Sequence, residues 1–276
     1  QAVGDVPVAQ LHAGVDGIIG IYHVMVVLVL GFDIVQDLDG LVHARRVYHH
    51  FLEAAVEGPV LFNIHAVFVQ GAGADALELN ISVLPSNPNI SSEEIEKRYF
   101  DILQKVSEKV RIPVTLKMSN SSSSLAALIL KLDWTGFLKG FVLFNRHYCP
   151  DIDITNMKLT SAPVFSAPAD YAETLRWVAM MSGKLKNDIA ATTGIHDGKT
   201  AVKFLLAGAA SVQVASVLYK KGPAVITEIK NDISDWMEGK DFKTIDDFRG
   251  KLSMDKATNP EVFERIQFMK YFSTIE

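Results

Sequence analysis

One cysteine, Cys149, stands in 276 residues. A disulfide framework and a Cys-based metal cluster are therefore excluded, and a reducing, cytoplasmic compartment is the expectation. Basic charge is not in excess. The 27 Lys and Arg against 32 Asp and Glu leave a formal net charge of −5, so the footprint of a nucleic-acid binder is missing. Long hydrophobic runs are missing too. The most apolar stretch, Ile18–Phe32, falls short of the roughly 20 residues a bilayer requires, and His23 interrupts it. It has neither the basic flank nor the small-residue cleavage site of a signal peptide.

Other absences are local. No Lys precedes Lys97, no Ser precedes Ser82 and no Thr precedes Thr115, while His12, His23, His43, His49, His50 and His65 all fall in the first 70 residues. Ser and Lys are among the commonest residues of soluble proteins. Without Ser or Thr, helix caps are reduced to Asp, Asn and Gly. Residues 1–70 thus stand apart as an atypical N-terminal segment, distinct from residues 71–276. Two readings stay open. One is a genuine Val/His-rich segment, with a strand near Val24–Leu30 and a helix near Val42–Val56. The other is translation from a wrong frame or the opposite strand. The histidines show no HxxxH or HxH spacing with a nearby carboxylate, so no metal site is expected.

From Gly71 the text is regular. Apolar runs mark strands at Ala76–Ser82, Pro113–Ser119, Gly140–Asn145, Ile189–Ala191 and Val212–Val217. Helices separate them. Ser91 with Glu94 reads as a capping box, followed by apolar residues at Ile95, Tyr99, Ile102, Leu103, Val106 and Val110. Leu125–Leu132 and Tyr171–Leu185 follow. Asp197 caps a helix that Gly208 stops, and Pro223–Glu238 is amphipathic. His147–Pro168 is a long loop, and Phe242–Glu276 is a mostly polar tail with a helix near Asn259–Tyr271. Five strand–helix units in sequence predict an α/β fold of (β/α)8 TIM-barrel type. Five cannot close eight strands, and residues 1–70 offer at most two more, so the barrel is expected to be incomplete.

Polar residues at the strand ends carry the chemistry. They are Asn80, Lys117, Asn145, Thr193-Gly194 and Ala215-Ser216, which a parallel barrel gathers on one rim. Small residues at the last two ends let backbone N–H groups approach an anion, and these two loops are the usual phosphate site of such barrels. A lysine inside Val114–Met118 is costly unless it meets an anion or a polar ligand; the alternative is a side chain snorkelling from the strand end. Asn80 and Asn145 read equally as strand-terminal turn residues.

The segments GADALELNIS, IPVTLKMS, GFVLFNR, IAATTGIHDGKTAVKFLLAGAASVQVASVLYKKGP and FKTIDDFRGKL resemble the dihydroorotate dehydrogenase family, in its class 1 and dihydroorotate dehydrogenase-like branches. The resemblance runs from about residue 71 to 276. It implies an FMN-dependent oxidoreductase of pyrimidine biosynthesis type, acting on a CH–CH group (dihydroorotate to orotate, or a related substrate) by passing a hydride to the flavin. It implies a small-molecule substrate and, in class 1A, a homodimer. Lys117 matches the lysine at the flavin ring. Asn80 and Asn145 match asparagines near flavin and substrate. Thr193-Gly194 and Ala215-Ser216 stand where the family binds the flavin phosphate.

The chain departs from the family at the base. The class 1 pattern N-x-S-C-P-N reads Asn80-Ile81-Ser82-Val83-Leu84-Pro85 here, so Val83 fills the cysteine's place and cannot accept a proton. Ser82 and Ser86 lie outside the matching slot, and Cys149 follows another strand with no activating base in view. The polar run Asn120–Ser124 replaces aromatic residues. Two other functions remain open: a phosphate-binding barrel using Lys117 as a Schiff-base nucleophile, and a non-catalytic barrel fragment. Resequencing the gene across the codons for residues 60–80 decides the origin of the first segment. A frame break supports mistranslation, and one continuous frame supports a genuine segment.

Overall fold

The computed structural model describes residues 22–25, 51–54, 66–67, 70–71, 73–81 and 83–266. Two short strands come first, β1 (Tyr22–Met25) and β2 (Phe51–Ala54), paired antiparallel. The strand expected at Val24–Leu30 begins inside β1, and its remainder lies outside the described residues. The helix expected at Val42–Val56 is corrected at its C-terminal end, where Phe51–Ala54 is a strand. Pairing with β1 overrides a weak helical pattern there. The other expectations for residues 1–70 lie outside the described residues.

The next strands are β3 (Leu77–Ile81), β4 (Val114–Met118) and β5 (Gly140–Leu143). After a hairpin come β8 (Asp188–Ala191) and β9 (Ser211–Val212). These five run parallel in the order β3-β4-β5-β8-β9, as the strand–helix alternation predicts, and β1 joins the β3 edge antiparallel. Among the described residues the sheet is open, with β2 at one edge and β9 at the other.

Helices cover one face because their apolar stripes need it. The first, α1 (Ser92–Ser107), has its capping box formed: the Glu94 amide donates to Ser91 Oγ, and the Ser91 amide donates to Glu94 Oε2 at 2.8 Å. Tyr99, Ile102, Leu103 and Val106 face the core. Next is α2 (Leu125–Trp134), whose buried Asp133 accepts from the backbone amides of Lys186 and Asn187 and from Asn187 Nδ2. That carboxylate ties the end of α2 to the chain entering β8. α3 (Tyr171–Met181), α4 (Gly198–Ala207), α5 (Ser216–Lys221) and α6 (Val225–Glu238) follow, then the short α7 (Glu261–Glu264). α4 starts at Asp197, whose carboxylate accepts from the Thr200 amide, and ends at Gly208 with φ 110°.

Three expectations need correction. The strand expected at Val212–Val217 stops at Val212, and Ser216–Lys221 is helical. Its parallel partner ends first: Ala191 pairs with Val212, the Gln213 amide makes the last bond to Ala191 O, and after Thr192, whose amide still bonds Leu143 O, the chain turns away at Thr193. The long loop at His147–Pro168 contains a hairpin, β6 (Pro150–Asp153) with β7 (Lys158–Ser161). The polar tail is in part a packed strap. Phe248 is fully buried against Trp236 and Phe242, and the amides of Gly250 and Leu252 donate to Leu205 O and Leu206 O. Of the helix near Asn259–Tyr271, only Glu261–Glu264 is helical among the described residues.

Phe248→Ala removes the anchor of that strap. The expected cost is about 3–5 kcal/mol, read as a shift in the urea midpoint with little change in slope.

Candidate functional site

Alternation along β3 and β4 builds the floor of the site. Leu77, Leu79 and Ile81 occupy one face of β3, leaving Glu78 and Asn80 on the other. The register sets Asn80 beside Lys117 and Glu78 beside Thr115. All three charged or amide side chains, Glu78, Asn80 and Lys117, are buried, and so is Gln213 at the end of β9. Lys117 does not snorkel; it is 5 % exposed. Its ammonium donates to Gln213 Oε1 at 3.2 Å and lies 3.4 Å from Glu78 Oε1. Gln213 Nε2 in turn donates to Glu78 Oε2 at 2.7 Å. Two hydrogen bonds link ammonium, amide and carboxylate, and the ion pair to Glu78 Oε1, which has no hydrogen bond among the described residues, closes the ring and answers the buried charge.

Asn80 Oδ1 is buried with no hydrogen-bond partner among the described residues. A buried amide oxygen of this kind calls for a donor from a ligand or water.

One cleft opens above Lys117. Its lining includes Lys117, Asn145, Thr193, Gly194, Ala215 and Ser216, six of the seven positions singled out by the sequence. Asn80 is beside Lys117 in the sheet but does not itself line the cleft. Asn145 sits just past β5, where its amide donates to Met118 O.

The Thr193-Gly194 turn is tightly specified. Both residues have positive φ, 76° and 75°. Thr193 tolerates this while its hydroxyl donates to Phe144 O. Gly194 has no alternative, because a Cβ there would lie 2.3 Å from the Tyr171 backbone nitrogen. Successive residues of this kind leave backbone N–H groups free to face an anion.

Residues beyond the sequence expectation complete the rim. Ser166, from the loop after the hairpin, is buried across the turn. Its amide donates to Ser216 Oγ at 2.9 Å, its hydroxyl lies 3.0 Å from His196 Nε2, and its carbonyl accepts from Lys220 Nζ at 3.0 Å. Arg146 also lines the cleft, with a donor bond to Val164 O and an ion pair to Asp170 at 3.6 Å. Sequence reasoning singled out none of Glu78, Gln213, Ser166, Arg146 and His196. Glu78 was signalled: it shares a face with Asn80 and is the nearest opposite charge to a lysine that needs one.

Val83 is buried and apolar, Ser86 is exposed, and residues 83–86 do not line the cleft. Cys149 is exposed and outside it. The side chain of Ser82 lies outside the described residues. Among the described residues, no cluster of three His, Cys, Asp or Glu is arranged to hold a metal ion, and no helix is long and apolar enough to cross a membrane.

Burial, and then the Lys220 charge, push the His196 imidazole below its ordinary value of 6.5; its contacts with Ser166, Asp197 and Asp170 oppose this. A depressed folded-state value means that the unfolded chain binds the proton more readily. The contribution of His196 is therefore present above about pH 6.5 and lost as pH falls below it. Thermal stability of the chain should decline between about pH 7 and pH 5.5, and His196→Gln should flatten that decline. An unchanged slope in the variant would contradict this.

The family model described as "Dihydroorotate dehydrogenase" matches residues 63–237. The catalytic subunit of dihydroorotate dehydrogenase B (NAD(+)) from Thermoplasma volcanium is 25% identical over 193 residues, covering 67% of this chain and 62% of that protein. Its Pyrococcus horikoshii counterpart is 29% identical, covering 64% and 59%. A crystal structure of DHODH from Eimeria tenella in complex with ferulenol superposes with a TM-score of 0.56 at 17% identity, over 71% of this chain and 58% of that one. That likeness shows the barrel-type fold alone. The chain spans about three fifths of the length of the curated relatives named here. With more than half of its residues matched by the family model, and five parallel strands in the family's barrel-type fold, the chain belongs to the dihydroorotate dehydrogenase family.

Proposed function

We propose that residues 71–276 are the cofactor-holding, C-terminal part of an FMN-dependent oxidoreductase of dihydroorotate dehydrogenase-like type. One observation carries this reading: Lys117, Asn145, Thr193-Gly194 and Ala215-Ser216 come from the ends of four successive parallel strands and converge on one cleft. The residues present fit the cofactor. The unpartnered Asn80 Oδ1, buried beside Lys117, can accept from a flavin N–H, and the positive-φ Thr193-Gly194 turn, seated against the Asp170-Tyr171 backbone, lines the cleft where backbone N–H groups would meet a phosphate. FMN, when bound, would supply two-electron redox chemistry.

The chain's own residues then divide the work. Lys117 presents an ammonium toward the ring. Asn80 and Asn145 orient ring and substrate by their amides. Thr193-Gly194 and Ala215-Ser216 hold the phosphate, with Arg146 and Lys220 lending positive charge nearby. The substrate is a small molecule. Val83 offers no lone pair to remove a proton from carbon, which favours a relative of dihydroorotate over dihydroorotate itself. The lone exposed thiol Cys149 suits a cytoplasmic, reducing compartment. A homodimer is the assembly we propose, and the exposed Ile152, Ile154, Met157 and Leu159 of the hairpin are apolar surface available to it.

The Schiff-base reading of Lys117 is weaker. A Schiff base needs a free amine, whereas this nitrogen is engaged by a carboxylate and an amide oxygen.

The absorption spectrum of the purified chain, before and after added FMN, tests the reading. A bound-flavin spectrum is expected in at least one condition, and colourless protein in both would contradict it. Gly194→Val should weaken FMN at least about a hundredfold, because positive φ and a backbone clash act together. Unchanged affinity would show that the phosphate lies elsewhere.

A further inference from the structure

We infer that Glu78 is a positioning residue for Lys117, and that it sets how much positive charge the cleft presents to its ligand. This rests on the FMN reading for the identity of that ligand. Glu78 does not line the cleft; it stands behind Lys117, one step down the same face of β3 from Asn80. It is 4 % exposed, so its carboxylate is not there for water. Oε2 is taken by the Gln213 amide at 2.7 Å, and Oε1 faces the Lys117 ammonium at 3.4 Å. Gln213 is oriented by the same ring, its oxygen toward the lysine and its nitrogen toward the carboxylate.

Two consequences follow from geometry and charge. An ammonium has three N–H donors; Gln213 takes one from within the sheet and Glu78 holds the cation as an ion pair at 3.4 Å, which leaves donor capacity for the cleft that Lys117 lines. A carboxylate 3.4 Å behind the cation also makes the cleft see an ion pair instead of a lone positive charge. Glu78→Gln keeps the side-chain shape and an acceptor for Gln213 Nε2; it removes the charge and turns an NH2 group, in place of an acceptor, toward the Lys117 ammonium. The cleft then faces an unbalanced cation, which favours any ligand state that carries more negative charge on the ring.

Sulfite is a probe of that field, because it adds to oxidised flavin and leaves negative charge on the ring. With FMN bound, Glu78→Gln should tighten sulfite at least about fivefold at neutral pH. Asp75→Asn, which removes an exposed carboxylate nearby in sequence, should leave sulfite affinity unchanged. Sulfite affinity that is unchanged or weaker in Glu78→Gln overturns the inference, since a merely structural carboxylate would not move this readout in the stated direction.

The flavin-free chain gives an independent test. In a cycle of Glu78→Gln, Lys117→Gln and the double variant, removing one partner strands a buried charge and removing both does not. The two changes should couple at least about fivefold in the folding equilibrium constant. Additive effects overturn the inference even if the wild-type chain binds no flavin, an outcome that defeats the cofactor reading separately. If Glu78→Gln alone does not fold, the charge-free double variant must; a double variant that also fails is evidence against the pairing.

Discussion

A lysine ammonium inside a parallel sheet must be answered by the fold. Lys117 is 5 % exposed, and its neighbours Leu116 and Met118 point into the apolar layer beneath the helices. The answer comes from both sides: Glu78 from the preceding strand of the parallel set and Gln213 from its last strand. Strands far apart in sequence are thereby linked through side chains as well as through the backbone ladder. The arrangement requires β3, β4 and β9 to keep register, because a one-residue slip would turn every one of these groups to the opposite face.

The second constraint lies at the strand ends. β8 and β9 are short because their ladder stops where the chain turns away at Thr193. That departure frees the Thr193-Gly194 and Ala215-Ser216 backbone from sheet bonding and makes it available to an anion. Gly194 is held against the start of α3, so the turn cannot relax to accept a side chain. The Ser166 segment then closes the rim through Ser216, His196 and Lys220. Under the proposed reading the Lys117 ammonium would meet the flavin ring, and the backbone at Thr193-Gly194 and Ala215-Ser216, with Arg146 and Lys220 nearby, would meet the phosphate.

Much of this was legible in the sequence. The parallel order of five strands followed from alternation, and the capping box at Ser91 and Glu94 and the caps at Asp197 and Gly208 followed from local chemistry. The site positions were legible as polar residues ending apolar runs. What was not legible depends on distance in sequence. Gln213 reads as an interruption in an apolar run until β9 is placed across from β3. Ser166 sits in a loop whose course is set by tertiary contacts. The end of β9 was misread because strand length is fixed by the partner's exit, not by the apolar run. Phe248 looked like part of a polar tail, although an aromatic cluster with Trp236 and Phe242 holds it. The family match from residue 63 covers the region where these rules worked and says nothing of most of the first 70 residues.

A crystal structure of the chain grown with FMN tests the account most directly. The isoalloxazine ring is expected within hydrogen-bond reach of Lys117 Nζ and Asn80 Oδ1, and the phosphate on the backbone amides at Thr193-Gly194 and Ala215-Ser216. A flavin bound away from Lys117, or a phosphate held by other residues, would contradict it.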